Sequence, residues 1–169
     1  MWEGLESVQV AASSEAVWKM ISDIDSHGRL AGSGEILAIR FQGPLQVGAR
    51  WEADERITGV GRFTAVSTCT VHDPPRELAW KPQAPPIRKG RDDSRPDITW
   101  WYRLDPRDGG TLLEHGFRVV EPKVGAAMMK GFYALSRRER TIRRGMGRTL
   151  QNVKAAAEGL ARSSSRVGT

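Results

Sequence analysis

Apolar and polar positions along this 169-residue chain change period twice. Residues 5 to 11 alternate as a strand does. Ser13 or Ser14 then offers a helix N-cap, with Glu15 where a helix dipole favours negative charge. Val17, Trp18 and Ile21 form the apolar side of a short helix, and the stretch from Asp23 to Leu30 allows a second helical turn, closed by Gly32 and Gly34. From there the period falls from near four to two, and five or six strands follow with no helix between them.

Those strands can be registered against one another, because residues on one face must agree across every hairpin. Ile98, Trp100, Tyr102 and Leu104 alternate with polar residues, as do Leu113, His115, Phe117 and Val119. Pairing residue 104 with 113 leaves Asp108-Gly109 as a two-residue turn, the favoured chemistry for a tight hairpin, and sets Tyr102 opposite His115. The same parity matches Leu78 and Trp80 with Val71 and Cys69, and then Phe63, Ala65 and Ser67 with Ile57, Glu55 and Ala53. Trp51 ends that row, and Leu37, Ile39 and Phe41 join it. One face of an antiparallel meander is therefore apolar and aromatic. The other carries Glu52, Asp54, Arg56, Arg103, Glu114 and Arg118, so the sheet needs a cover on one side only.

The last segment supplies the cover. Val124, Met128, Phe132, Ile142, Met146, Leu150, Val153, Ala157 and Leu160 recur at helical spacing and predict one long amphipathic helix, interrupted near Gly145 and Gly147. Its opposite face holds Arg137, Arg138, Arg140, Arg143, Arg144, Arg148 and Lys154. Residues 1–161 are expected to form a single domain and 162–169 a loose tail. Pro82 to Pro96, with four prolines and many charges, reads as a long rim loop with little to bury.

Composition narrows the function. The net charge of +6 belongs to the last third: residues 123 to 169 hold eleven Lys and Arg against two acids. That basic face admits an interaction module as one reading, but no aromatic residues interleave with the arginines to stack on bases, which argues against nucleic acid. No run approaches the roughly 18 apolar residues of a membrane helix, and the first residues lack the pattern of a secretory leader, so a cytoplasmic protein without a transmembrane segment is expected. Cys69 is the one cysteine, which excludes an internal disulfide and a Cys-x-x-Cys centre. Nothing in the sequence indicates an oligomeric state.

Four segments in order carry a family likeness: Ala12-Ser13-Ser14-Glu15-Ala16-Val17-Trp18, Gly43-Pro44 to Val47-Gly48, Asp73-Pro74-Pro75-Arg76-Glu77-Leu78-Ala79-Trp80, and Asp108-Gly109-Gly110-Thr111. With the order of elements, they resemble the START-like (SRPBCC) superfamily in its bacterial polyketide cyclase/dehydrase and lipid-transport branch, over about residues 5 to 160. The resemblance implies an α+β helix-grip fold. In it a bent, seven-stranded antiparallel sheet wraps a long C-terminal helix, two short helices follow the first strand, and a hydrophobic cavity lies between sheet and helix. It does not imply one function, since the superfamily includes carriers, receptors and aromatase/cyclases.

Within such a cavity the residues expected to meet a ligand are Trp51, Glu55, Trp80, Trp100, Tyr102, His115 and Phe117 from the sheet, and Met128 and Phe132 from the helix. The competing reading is that these aromatics are plain core. His115 opposite Tyr102 is the candidate acid or base for an aromatase/cyclase or dehydratase, while binding or carriage of a lipid-like or polyketide-like small molecule needs only burial and a few hydrogen bonds. A carboxylate at Glu55 could hold a polar head group, or have a raised pKa in a dry site. Cys69 and His115 lie on strands separated by two others, roughly 14 Å apart, too far for a nucleophile and its base. His27, His72 and His115 share no element at ligand spacing, so no metal is expected. Gly59-x-Gly61 leads into a strand and not a helix, so no nucleotide cofactor is expected.

Overall fold

The structure is a computed structural model describing residues 1–167, with side chains described as far as Arg162. Strand β1 (Trp2–Val10) leads to α1 (Ser14–Ser22), whose N-cap Ser13 accepts a hydrogen bond from the Ala16 amide at 3.3 Å. A 3₁₀ turn (Ile24–Ser26) and a one-turn helix α2 (His27–Leu30) follow. The strands β2 (Ile36–Phe41), β3 (Arg50–Ile57), β4 (Gly61–Asp73), β5 (Glu77–Pro82), β6 (Asp97–Arg107) and β7 (Gly110–Val120) complete one antiparallel sheet. Its order is β1-β7-β6-β5-β4-β3-β2, so β1 closes the chain's return against the last strand.

The β6–β7 register is the expected one, with Leu104 opposite Leu113 and Tyr102 opposite His115. Elsewhere the partners move, and in β2 the inward face changes as well. Ile57 pairs with Gly61 and Glu55 with Phe63, two residues tighter than expected, because Thr58-Gly59-Val60 suffices to turn the chain. An irregularity between Cys69 and Val71 keeps Cys69 opposite Trp80 but sets Leu78 against His72, not Val71. Another between Ile36 and Ala38 leaves Leu37 half-exposed at 48% and brings Ile36 beside Glu55, so Ile36 and not Leu37 joins the inner row.

Two helices, not one, cover the sheet: α3 (Ala126–Ser136) and α4 (Arg138–Val167). The break is at Arg137, which adopts a left-handed backbone at φ 50°. It is not at Gly145 or Gly147, where α4 is continuous. Gly145 serves a close approach instead. The Gly32-Ser33 segment crosses α4 there, and a Cβ on Gly32 would lie 2.2 Å from the Arg148 Cβ. The Gly32 amide donates to Thr149 Oγ1 at 2.8 Å, pinning that crossing. Helical backbone continues to Val167, past the expected start of a tail at residue 162, and residues 168 and 169 lie outside the described residues.

α4 packs closely on β1, β7 and α1, whereas its contacts with β3 to β5 are sparse. One core cluster joins Val17, Ile21, Leu78, Leu104, Leu113, Leu150 and Val153, and a second joins Phe117, Val119, Met129, Ile142 and Met146. The loop between β5 and β6 buries more than its composition suggests. Ser94 in a 3₁₀ turn (Asp92–Ser94) is fully buried, accepting from the Arg88 amide at 2.9 Å and donating to the Arg91 carbonyl at 2.6 Å.

Candidate ligand-binding cavity

Where the sheet curls away from α4 it leaves a cavity of about 600 Å³. The register explains its position. Ala53 pairs with Ala65, and Ser67 pairs with Trp51, so three small side chains face inward side by side where larger ones would have filled the volume. Aromatic residues ring this floor: Phe63, Trp51, Trp80, Trp100 and Tyr102 from the strands, Phe132 and Tyr133 from α3. Val60 and Met128, exposed at 46% and 60%, stand with Pro85, Pro86 and Ile87 at its rim. The volume lies within the range of ordinary small-molecule sites.

Eight of the nine residues expected to face a ligand do line this space: Trp51, Glu55, Trp80, Trp100, Tyr102, His115, Met128 and Phe132. Phe117 does not. It is fully buried behind Trp100, with ring centroids 5.3 Å apart, and its other side meets Gly4, where a Cβ would lie 2.4 Å from the Phe117 ring. The small residue on β1 lets the ring lie against the edge strand.

Polar groups gather in two clusters. In the first, Tyr102 and His115 stack at 4.3 Å between centroids, with Trp80 and Trp100 stacking beyond the imidazole. Tyr102 and His115 therefore meet face to face, not as a hydroxyl bonded to a ring nitrogen. His115 Nδ1 lies 3.0 Å from the Trp101 carbonyl, an acceptor only, so this nitrogen donates and the neutral ring keeps its lone pair on Nε2. Burial, partly offset by that bond, lowers the His115 pKa to about 4. His27, whose place near the site the sequence did not disclose, is buried with its ring 6.1 Å from Tyr102, and Nε2 reaches the Ile21 carbonyl at 2.5 Å. Burial lowers its pKa as well. Desolvation holds the Tyr102 phenol well above its usual range.

The second cluster was largely hidden in the sequence. Arg138, read as part of an outward basic face, turns inward and forms a two-point ion pair with Glu35, Nη1 to Oε1 and Nη2 to Oε2 at 2.8 Å. The Arg137 break resets the helical phase and gives Arg138 this direction. Glu55 stands beside the pair, since Ile36 is its cross-strand neighbour and the Arg56 amide donates to the Glu35 carbonyl at 2.8 Å. Burial and then the nearby Glu35 charge raise the Glu55 pKa to about 7, against the pull of Arg138. Tyr133 on α3 also interacts with Arg138. Among the described residues, no three His, Cys, Asp or Glu side chains gather where they could hold a metal.

No protein-family profile matches the sequence, and no curated protein matches it. Solved structures do. The di-domain aromatase/cyclase StfQ of the steffimycin biosynthetic pathway superposes with a TM-score of 0.72 at 15% identity, over 94% of this chain and 51% of that one, so this chain spans about half of the di-domain protein. The Zhui aromatase/cyclase from Streptomyces sp. R1128 gives 0.67 at 18% identity, covering 96% and 97% of the two chains. A START superfamily protein from Mycobacterium smegmatis gives 0.63 at 15% identity, covering 94% and 98%. The chain has the START-like helix-grip fold. No described helix is long and apolar enough to cross a membrane.

Proposed function

We propose that this protein binds or carries a hydrophobic, ring-containing small molecule, of lipid-like or polyketide-like character, in the cavity between the sheet and helices α3 and α4. The observation that carries the reading is the row of small residues, Ala53, Ala65 and Ser67, under an aromatic ring of walls. A merely structural core would have filled that floor. Burying about 250 Å² of apolar ligand at about 25 cal/mol per Å² contributes about 6 kcal/mol before the costs of association, enough for useful affinity with few polar contacts. The aromatase/cyclases among similar structures lend the cavity a precedent in fold.

Catalysis by His115 with Tyr102 has weaker support. The two stack without a hydroxyl-to-nitrogen contact, and an imidazole with a pKa near 4 is a poor base at neutral pH. The basic-face reading also loses ground: Arg138 pairs with Glu35, Arg143 with Glu6 and Glu139, and Lys154 with Glu158. Native mass spectrometry with tryptophan-fluorescence titration over a panel of polyphenols and lipids tests the reading. Saturable one-to-one binding, lost in Ala65→Leu, is expected. Absence of binding across the panel, or binding indifferent to Ala65→Leu, would overturn it.

A further inference from the structure

The cavity's charged groups are unevenly matched. Of its lining residues, Glu35, Glu55 and Arg138 carry the formal charges, and the two histidines are held neutral by burial. Arg138 is committed to Glu35 through both terminal nitrogens. An anionic ligand such as a fatty acid would thus find no unengaged cation inside the cavity, and would face Glu55 as well. A cationic ligand would find in Glu55 a carboxylate with no ion pair of its own.

We propose that the ligand is a hydrophobic amine, bound as its ammonium ion with ionised Glu55 as counterion. This rests on the small-molecule reading above and names its ligand class. Geometry supports it around Glu55. Glu35 from the loop before β2 and Arg138 from α4 lie close enough to act on its charge, Tyr133 of α3 interacts with that Arg138, and the cross-strand neighbours Ile36 and Phe63 are apolar. Asp54 and Arg56 alternate to the outer face, where Asp54 is occupied by Arg40. With the ammonium bound, the four charges sum to zero in a partly dry site, the condition under which buried ions persist. The π faces of Phe63 and the tryptophan walls suit an organic cation further. Because unliganded Glu55 titrates near 7, ionising it costs little at neutral pH, and the ammonium takes the place of its proton.

The test is calorimetry on the full chain with three ligands of one shape: naphthylethylamine, naphthylethanol and naphthylacetate. At about pH 8 the amine should bind at least about 10-fold tighter than the alcohol, and its affinity should fall about 30-fold by about pH 5.5, following Glu55 protonation. Buffers of different ionisation enthalpy should report about one proton released per amine bound at the lower pH and almost none for the alcohol. Glu55→Gln should lose the preference for the amine over the alcohol together with its pH dependence. The proton count needs no variant, so it decides even where Glu55→Gln folds poorly. An amine no tighter than the alcohol, no proton release, or preferred carboxylate binding would overturn the proposal while leaving small-molecule binding intact. If none of the three binds, nor any member of the wider panel, both readings fall.

Discussion

The two polar clusters of the cavity meet the same dry surroundings and answer in opposite ways. At the His27, Tyr102 and His115 end, burial favours neutral forms, and each group has a carbonyl or a ring face to rest on. At the Glu35, Glu55 and Arg138 end, one ion pair survives because both partners are held in a two-point contact, while the extra carboxyl is pushed toward its protonated form. Low dielectric thus sets three different outcomes by what each group finds beside it. One end is a settled aromatic wall. At the other, the Glu55 carboxyl changes charge near neutral pH.

The largest effect expected from breaking this contrast is at the ion pair. Arg138→Met should cost about 3 kcal/mol in urea unfolding, toward the low end for a buried pair because both partners retain slight exposure, and adding Glu35→Leu should recover most of it. A single change with no cost would mean that the pair is a surface contact.

Stability against pH sharpens the comparison next. The folded Glu55 pKa is raised, so between about 4.5 and 7 the folded state holds a proton that the unfolded chain has released, and stability falls as pH rises through that window. Glu55→Gln should therefore be about 2–3 kcal/mol more stable than the native chain at about pH 8 and equal to it below about pH 4.5. His115 acts in the other direction. Its folded pKa is depressed, so stability is present above about 6.5 and is lost as pH falls toward 4. His115→Asn should flatten that acid limb by about 1–2 kcal/mol at about pH 5, read from thermal midpoints. Parallel curves for native chain and variants would deny the two ends their difference.

The smallest effect expected is outside the cavity. Arg40 makes four hydrogen bonds to Glu52 and Asp54, yet all three are exposed to water, and Arg40→Gln should leave the unfolding midpoint unmoved. The count of contacts is no guide where solvent screens them.

How far the sequence disclosed this arrangement depended on the kind of signal. The β6–β7 hairpin was legible because Asp108-Gly109 fixes one turn and alternation fixes the rest, which placed Tyr102 against His115. Parity carried the inner face through β3 and β4 despite a two-residue slip, since a slip of two leaves every side chain on its own side. The irregularity before Ala38 broke parity, and Leu37 was lost with it. Glu35 lies in a loop with no period to read. Arg138 sits in a run of arginines whose common meaning is a solvated face, and only the left-handed residue at 137 turns it inward. Small residues at the inward positions 53, 65 and 67 were the available sign of a hollow, and alternation alone gives their side without their size.

Carbon-detected NMR titration of the Glu55 side-chain carboxyl tests the contrast most directly. The expected midpoint is near 7 in the unliganded chain, driven well down by saturating naphthylethylamine and unmoved by naphthylethanol, while the His115 ring stays neutral through the same range. A Glu55 midpoint near the ordinary 4.5, indifferent to both ligands, would contradict it.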